Sequence, residues 1–90
     1  MARSDWDESE TALRALLADT LGLAPSRIVT FTEQTELFGA LPEFDSMAVA
    51  TLLTGLEERL AILIEDHEVD ADMLETYGSL LTFARAKALR

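Results

Sequence analysis

The sequence predicts an all-α fold, a four-helix bundle with three longer helices, one short third helix and a long loop between helices 1 and 2. Two observations lead to this prediction. Apolar residues recur at helical spacing in three separate segments, and no stretch shows the apolar–polar alternation of a half-buried strand. Ninety residues provide one modest core, so we expect a single domain covering residues 1–90.

The first helix is predicted at about residues 5–21. Asp5 followed by Glu8 gives a capped start, and Gly22 gives a stop. One face of this helix carries four leucines at helical spacing: Leu13, Leu16, Leu17 and Leu21.

The loop at residues 22–45 contains Pro25 and Pro42 and shows no long periodic pattern. It is too apolar for a free linker, because it includes Ile28, Phe31, Leu37 and Phe38. We therefore expect the loop to wrap the core, with a short turn near residues 35–39.

The second helix, at about residues 46–60, has the clearest periodicity. Its apolar stripe consists of Val49, Leu52, Leu53, Leu56 and Leu60. A short third helix is predicted at about residues 66–74, with Val69, Met73 and Leu74 inward. Thr76 can cap the last helix, at about residues 77–88, whose inward positions are Tyr77, Leu80, Leu81, Ala84 and Ala88.

The chain is acidic, with seven Lys and Arg against 17 Asp and Glu, a formal charge of −10. Such a surface repels nucleic acid and anionic lipid, so we expect neither as a partner. The chain has no cysteine, no apolar signal region at its start, and no run near the roughly 20 residues that span a bilayer. These features predict a cytoplasmic protein, and the charge predicts a monomer.

Ser46 stands where the second helix begins, in the tetrapeptide Phe44-Asp45-Ser46-Met47. A helix start presents free N–H groups and the positive end of the helix dipole, so an oxygen there can carry a phosphate. The alternative is an ordinary helix cap, the usual role of Asp and Ser at such positions. Val49 stands where a capping-box Glu would be, so that alternative has no extra support.

This arrangement of helices resembles the acyl carrier protein family over roughly residues 8–89. The resemblance is carried by Asp45-Ser46-Met47 opening the second helix, by the segments 56–60 and 64–66, and by Glu75-Thr76-Tyr77-Gly78-Ser79-Leu80 before the last helix. It implies that Ser46 receives 4′-phosphopantetheine from coenzyme A, through a phosphopantetheinyl transferase that uses Mg²⁺. Asp45 would support the metal of the transferase, since carboxylates suit Mg²⁺.

The resemblance also implies a carrier and not an enzyme. The terminal thiol of the arm would hold acyl or aminoacyl thioesters, supplied by a ligase and used by an acyltransferase or synthase. The chain departs from carriers of bacterial fatty acid synthesis, because Glu43-Phe44 precedes Asp45 and the first turns of the helix lack carboxylates. It is more similar to carriers of specialised pathways, with the D-alanyl carriers of cell-wall modification as an alternative.

By the same resemblance, the outer face of the second helix would meet partner enzymes through Met47, Ala50, Thr54, Glu57 and Glu58. Met47 could instead pack under the loop at Phe44. A carried chain could be sheltered near Leu53, Ile64, Leu74 and Tyr77, although plain core is the alternative for these four residues.

Six acids lie between Glu65 and Glu75, which raises the possibility of calcium binding. Counted from Asp66, however, the sixth and twelfth positions are Ala71 and Tyr77, so the segment is not an EF-hand, and only weak divalent binding remains possible. His67 is the single histidine and is expected at the surface. No catalytic or metal motif appears, and the competing hypothesis is an unmodified acidic helical adaptor that binds a basic partner.

Overall fold

The computed structural model describes residues 6–88, which contain five α-helices and one 3₁₀ turn. The helices are α1 (Glu8–Leu21), α2 (Pro25–Ile28), α3 (Ser46–Leu60), α4 (Ala71–Glu75) and α5 (Tyr77–Ala88), and the 3₁₀ turn is Asp66–Glu68. Within this range there is no strand, only an isolated bridge between Glu36 and Thr76. The all-α class and its three longer helices are confirmed. No helix in the described range is long and apolar enough to cross a membrane.

The first helix begins at Glu8, so the predicted start at residue 5 is wrong. Asp7 is the cap, and its Oδ1 accepts the backbone N–H of Glu10 at 2.8 Å. Asp5, the predicted cap, lies outside the described residues. The helix ends at Gly22 in the left-handed region, at φ 68°, where glycine has no steric penalty.

The loop between the two long helices is not wholly irregular, because it contains the short helix α2. Pro25 occupies the first turn of α2, where its fixed φ is helical and its missing N–H costs nothing. Ile28, Phe31 and Leu37 are buried as expected, but Phe38 is 40 % exposed. The loop therefore wraps the core with three apolar anchors, and Phe38 lies near its surface.

The loop is fastened to the junction of α4 and α5 by backbone hydrogen bonds. The N–H of Leu37 donates to the carbonyl of Glu75 at 2.8 Å, and the N–H of Tyr77 donates to the carbonyl of Thr35 at 2.8 Å. Gly78 allows the closest approach, since a Cβ there would lie 2.7 Å from the carbonyl oxygen of Glu33. These contacts fix the path of the chain towards α3.

The predicted third helix at residues 66–74 is two separate pieces, the 3₁₀ turn and α4. The reason lies in the acidic side chains, which act as caps. Glu65 and Glu68 form a capping box around the 3₁₀ turn, and Asp70 Oδ1 accepts the N–H of Met73 at 2.9 Å to start α4. A capping residue lies outside the helix that it starts. The two caps therefore interrupt the segment, which does not form one continuous helix.

The core lies where α3 and α5 pack on α1. The predicted leucine face of α1 is buried, and Leu52 and Leu56 of α3 are fully buried, as are Leu80 and Ala84 of α5. Val49, Leu53 and Leu60 are only partly buried and pack against the edge of the core, so the inner half of the α3 stripe is enclosed and its flank is partly exposed.

A buried polar cluster, which we call the Arg14 network, consists of Arg14, Glu10 and Tyr77 with the carbonyls of Ile28 and Phe31. Arg14 is 6 % exposed and donates to Ile28 O at 2.6 Å, to Phe31 O at 3.1 Å and to Glu10 Oε2 at 2.9 Å. The hydroxyl of Tyr77 donates to Glu10 Oε2 at 2.9 Å. The network ties the loop to α1 and α5, and the sequence analysis did not identify it.

Candidate functional site

Ser46 is the first residue of α3, as predicted, but it is not the cap of that helix. Asp45 is the cap: it has an extended backbone, and its Oδ1 accepts the N–H of Ala48 at 2.9 Å. The carbonyl of Asp45 accepts the N–H of Val49 at 2.9 Å. The capping alternative for Ser46 is therefore wrong, because the neighbouring aspartate already fills that position.

The side chain of Ser46 is exposed and makes no hydrogen bond within residues 6–88. Its Oγ lies at a helix start, where the amides of Ser46 and Met47 have no acceptor within the helix and the helix dipole is positive. A phosphate ester on this oxygen would face both features. The residues present thus fit a phosphate-linked group.

Phe44 anchors the chain immediately before this site. Its side chain is 2 % exposed, and its ring packs edge to face with Phe38 at a centroid distance of 6.1 Å. Aromatic pairs of this geometry are favourable beyond the area that they bury. With Phe44 fixed in the core, Asp45 and Ser46 are held at the surface.

The other described serines occupy different environments. Ser9 is buried, and the hydroxyl of Ser79 donates to the carbonyls of Met73 and Thr76 at 3.0 and 2.9 Å. Ser26 is exposed but belongs to the four-residue helix α2. Among the serines of residues 6–88, Ser46 alone combines exposure with the start of a long helix.

A groove of about 500 Å³ begins at Ser46 and runs along α3. One wall is a face of α3 formed by Ser46, Val49, Ala50, Leu53, Thr54 and Glu57, and the other wall is formed by Ile64, Asp66 and Val69. Two of the four residues predicted to shelter a carried chain, Leu53 and Ile64, therefore lie in a groove that also contains Ser46.

Leu74 and Tyr77 do not line this groove, and their burial agrees with the alternative that they are plain core. Both are core residues, at 5 % and 1 % exposed. Tyr77 packs edge to face on Phe31 at 6.0 Å, and its hydroxyl belongs to the Arg14 network. Burial and the bond to Glu10 raise the pKa of Tyr77 well above its ordinary value, so this hydroxyl stays protonated.

The predicted partner face of α3 is largely open. Met47 is 80 % exposed, so it does not pack under the loop at Phe44, and Ala50, Thr54 and Glu58 are also exposed. Glu57 differs from the rest. Its Oε2 accepts the backbone N–H of Ile64 at 2.8 Å, and the residue is only partly exposed.

The acidic segment after α3 makes contacts within the chain that stabilise the fold. Glu68 accepts two bonds from Lys87 Nζ, at 2.8 and 2.9 Å. The backbone N–H of Glu65 and the Lys87 ammonium hold the pKa of Glu68 below its ordinary value. His67 is exposed, and residues 6–88 contain no group of three or more His, Cys, Asp or Glu placed to hold a metal ion.

Comparisons with known proteins agree with this geometry. A family model described as "Phosphopantetheine attachment site" matches residues 11–86. The solution NMR structure of a holo acyl carrier protein from Nitrosomonas europaea is similar to this chain, with 39% sequence identity and a TM-score of 0.80. The match covers 94% of this chain and 100% of the other. A search of curated protein sequences finds no significant match.

Proposed function

Because the chain belongs to the acyl carrier protein family, non-catalytic carriers with a covalent 4′-phosphopantetheine, we propose that Ser46 is the residue that carries this arm. One observation carries the proposal: the Ser46 hydroxyl is exposed at the first position of α3, while Asp45 provides the cap. Attachment there breaks no side-chain hydrogen bond of Ser46 within residues 6–88. The phosphodiester would lie beside the amides that open α3.

The arm would give this cysteine-free chain its thiol, which would hold acyl or aminoacyl thioesters. A phosphopantetheinyl transferase would install the arm, a ligase would load it, and an acyltransferase or synthase would take the cargo. Asp45 uses Oδ1 as the cap, which leaves Oδ2 to support the Mg²⁺ of the transferase. The open face of Met47, Ala50, Thr54 and Glu58 would meet these enzymes.

A role in a specialised pathway is supported by the uncharged, partly apolar surface of this face of α3. The first turn of α3 contains no acidic residue, and Met47 is its most exposed apolar side chain. Along α3, a partner would therefore find an apolar surface after Ser46 and no carboxylate before Glu57 and Glu58, while Asp45 is the acid directly before Ser46. D-alanyl transfer in cell-wall modification is the alternative role. The acidic composition supports a cytoplasmic monomer without nucleic-acid or membrane partners.

Intact mass spectrometry tests the attachment. Incubation with coenzyme A, Mg²⁺ and a broad-specificity phosphopantetheinyl transferase is expected to add one phosphopantetheine to the wild type. Ser46→Ala is expected to add none, and Ser26→Ala, which removes another exposed hydroxyl at a helix start, is expected to add one. An unchanged wild-type mass, as the unmodified-adaptor hypothesis requires, or a modified Ser46→Ala would exclude Ser46 as the attachment residue.

A further inference from the structure

The segment that follows α3 exposes two neighbouring aliphatic side chains. Leu63 is 67% exposed, and Ile62 is only partly buried. Within residues 6–88, neither belongs to the buried core, and neither is among the partly buried apolar residues that pack on its edge, as Ile64 does. A single exposed leucine is ordinary, but two adjacent aliphatic residues that the core does not use leave apolar area that another molecule can cover.

A cavity of about 490 Å³ lies beside these two residues. Its walls are the end of α3, the segment 62–68 and the last turn of α5. Ile62, Leu63 and this cavity form what we call the distal surface. Among the described residues, none lines both this cavity and the groove at Ser46, so the distal surface is a separate place on the molecule.

The backbone on both sides of Leu63 is bonded to α3. Ala61 ends the helix in the left-handed region, at φ 54°, which is unfavourable for a residue with a Cβ. The N–H of Ile62 donates to the carbonyl of Glu57 at 3.1 Å, and the N–H of Ile64 donates to Glu57 Oε2 at 2.8 Å. Because both neighbours of Leu63 are held, its backbone loses little freedom when a partner binds.

The charges around the cavity determine the kind of partner. Lys87 Nζ donates to both carboxylate oxygens of Glu68, at 2.8 and 2.9 Å, so its charge is matched within the cavity wall. Of the next residues along this segment, Glu65, Asp66 and His67 are all exposed, and two of the three are carboxylates. The whole chain has a formal charge of −10. Such surroundings attract Lys and Arg and repel anionic lipid.

We propose that the distal surface docks a basic amphipathic helix of a partner protein. The apolar stripe of that helix would cover Leu63 and enter the cavity, and its Lys and Arg residues would face the carboxylates. The 15 residues of α3 place its last residue about 21 Å along the axis from Ser46, so the docked helix leaves the start of α3 open. The proposal goes beyond the attachment of the arm and does not depend on it.

The probe is a synthetic peptide of about five helical turns, made of leucine and lysine, with its leucines on one face. It is titrated into the wild-type protein at physiological salt, where the screening length is about 8 Å, and backbone amide shifts are followed by NMR. We expect saturable shifts at residues 61–68 and at Lys87, larger than those at residues 46–58. A peptide with serine for leucine should bind roughly tenfold more weakly, and one with glutamate for lysine should not bind.

Two substitutions at exposed apolar positions provide the matched pair. Leu63→Ser removes a side chain of the distal surface, and Val29→Ser changes a residue that is 46% exposed at the end of α2. Leu63→Ser should raise the Kd of the leucine–lysine peptide roughly tenfold, as expected for loss of one covered leucine, and Val29→Ser should leave it unchanged. The Tm of Leu63→Ser should stay within about 1 °C of the wild type, since Leu63 lies outside the core.

Four results would overturn the docking proposal. They are the absence of saturable binding, the largest shifts at residues 46–58, an equal loss of binding in Leu63→Ser and Val29→Ser, and a fall in the Tm of Leu63→Ser as large as that of a core substitution. Binding of the wild type to phosphatidylcholine vesicles that Leu63→Ser abolishes would also overturn it, because a membrane would then be the occupant.

Intact mass after incubation with the transferase separates this proposal from the attachment at Ser46. Leu63→Ser should accept the arm as the wild type does. Loss of the arm in this variant alone would place Leu63 in the contact with the transferase and overturn a separate distal surface. If the wild type accepts no arm, the attachment at Ser46 fails, and the peptide titration still decides the distal surface.

Discussion

At the scale of single residues, Asp45 caps α3 and Ser46 follows it as the first residue of the helix, a distinction that the sequence motif cannot make. Both residue types cap helices well, and the structure shows that Asp45 does so. The position of Ser46 at the start of α3 was predictable, because the apolar stripe of that helix follows it directly in the sequence. Arg14 was not, because its carbonyl partners at Ile28 and Phe31 are 14 and 17 residues away and come into reach only in the folded chain.

Loss of Arg14 should be the costliest of the polar substitutions in this domain. Arg14→Met is expected to lower the free energy of unfolding by about 3 kcal/mol, because it leaves Glu10 and two buried carbonyls with fewer partners. Urea unfolding followed by circular dichroism measures the loss.

Arg27→Met, at an exposed position of α2, is the control and should cost less than about 0.5 kcal/mol. Arg14→Lys should recover only part of the loss, since one ammonium cannot reproduce the planar fork of Arg14. Equal stability of Arg14→Met and Arg27→Met would show that the Arg14 network contributes nothing.

At the scale of elements, the long helices were predictable and their boundaries were not. Fourteen or fifteen residues give α1 and α3 enough periodicity to be recognised, whereas the four residues of α2 give none. Asp7 is both the cap of α1 and an ion-pair partner of Arg85 in α5, at 2.9 Å. The local sequence does not show the contact with α5, so the first residue of α1 could not be predicted from it.

The stability that Asp7 contributes should depend on pH. The N–H of Glu10, together with Arg85, holds the pKa of Asp7 below its ordinary value of 3.8, although desolvation acts in the opposite direction. A carboxyl with a lowered pKa in the folded state stabilises above its unfolded pKa, and that contribution is lost as pH falls through the folded value. Asp7→Ala should therefore cost about 1 kcal/mol at pH 7, mainly through the lost cap.

Urea unfolding of both proteins between pH 7 and pH 2 measures this dependence. The gap between wild type and Asp7→Ala should be constant down to about pH 4 and then close. Asp19→Ala is the control on the same helix, because Asp19 is 78% exposed and lies 3.9 Å from Arg59. It should cost under about 0.5 kcal/mol. A gap for Asp7→Ala that persists at pH 2 would contradict the assignment.

At the scale of the whole molecule, most cations of residues 6–88 pair with carboxylates of the chain. Arg14, Arg85 and Lys87 do so at 2.8–2.9 Å, and Arg59 lies 3.9 Å from Asp19. A partner therefore meets mainly unpaired acids. Composition made this acidic character predictable, and the periodicity made the fold class predictable, because both are spread over the sequence. The groove was not predictable, since its two walls come from α3 and from residues 64–69, which meet only in the folded chain.

Salt should stabilise this protein. The molecule measures 34 × 29 × 21 Å, so at 0.01 M salt, where the screening length is about 30 Å, its excess negative charge repels across the whole structure. Raising NaCl to 0.5 M should increase the free energy of unfolding by an amount on the order of 1 kcal/mol, because screening relieves that repulsion. Urea titrations at the two salt concentrations measure the difference.

A variant with less charge gives the matched control. Glu8→Gln combined with Glu36→Gln and Asp72→Asn changes three exposed acids that form no ion pair within residues 6–88, and its gain from salt should be smaller. If salt instead lowers the stability of the wild type, the internal ion pairs outweigh the repulsion.

Trp6 is the single tryptophan of the chain, and Arg14 Cζ lies 4.2 Å from its ring centroid. Indole emission responds to the surroundings of the ring, so the fluorescence of the unlabelled protein reports on one place, the edge of the Arg14 network. Trp6 lines a cavity with Pro25 and Ile28 and takes no part in the groove at Ser46. Its emission can therefore follow unfolding from a position apart from Ser46, the proposed attachment residue.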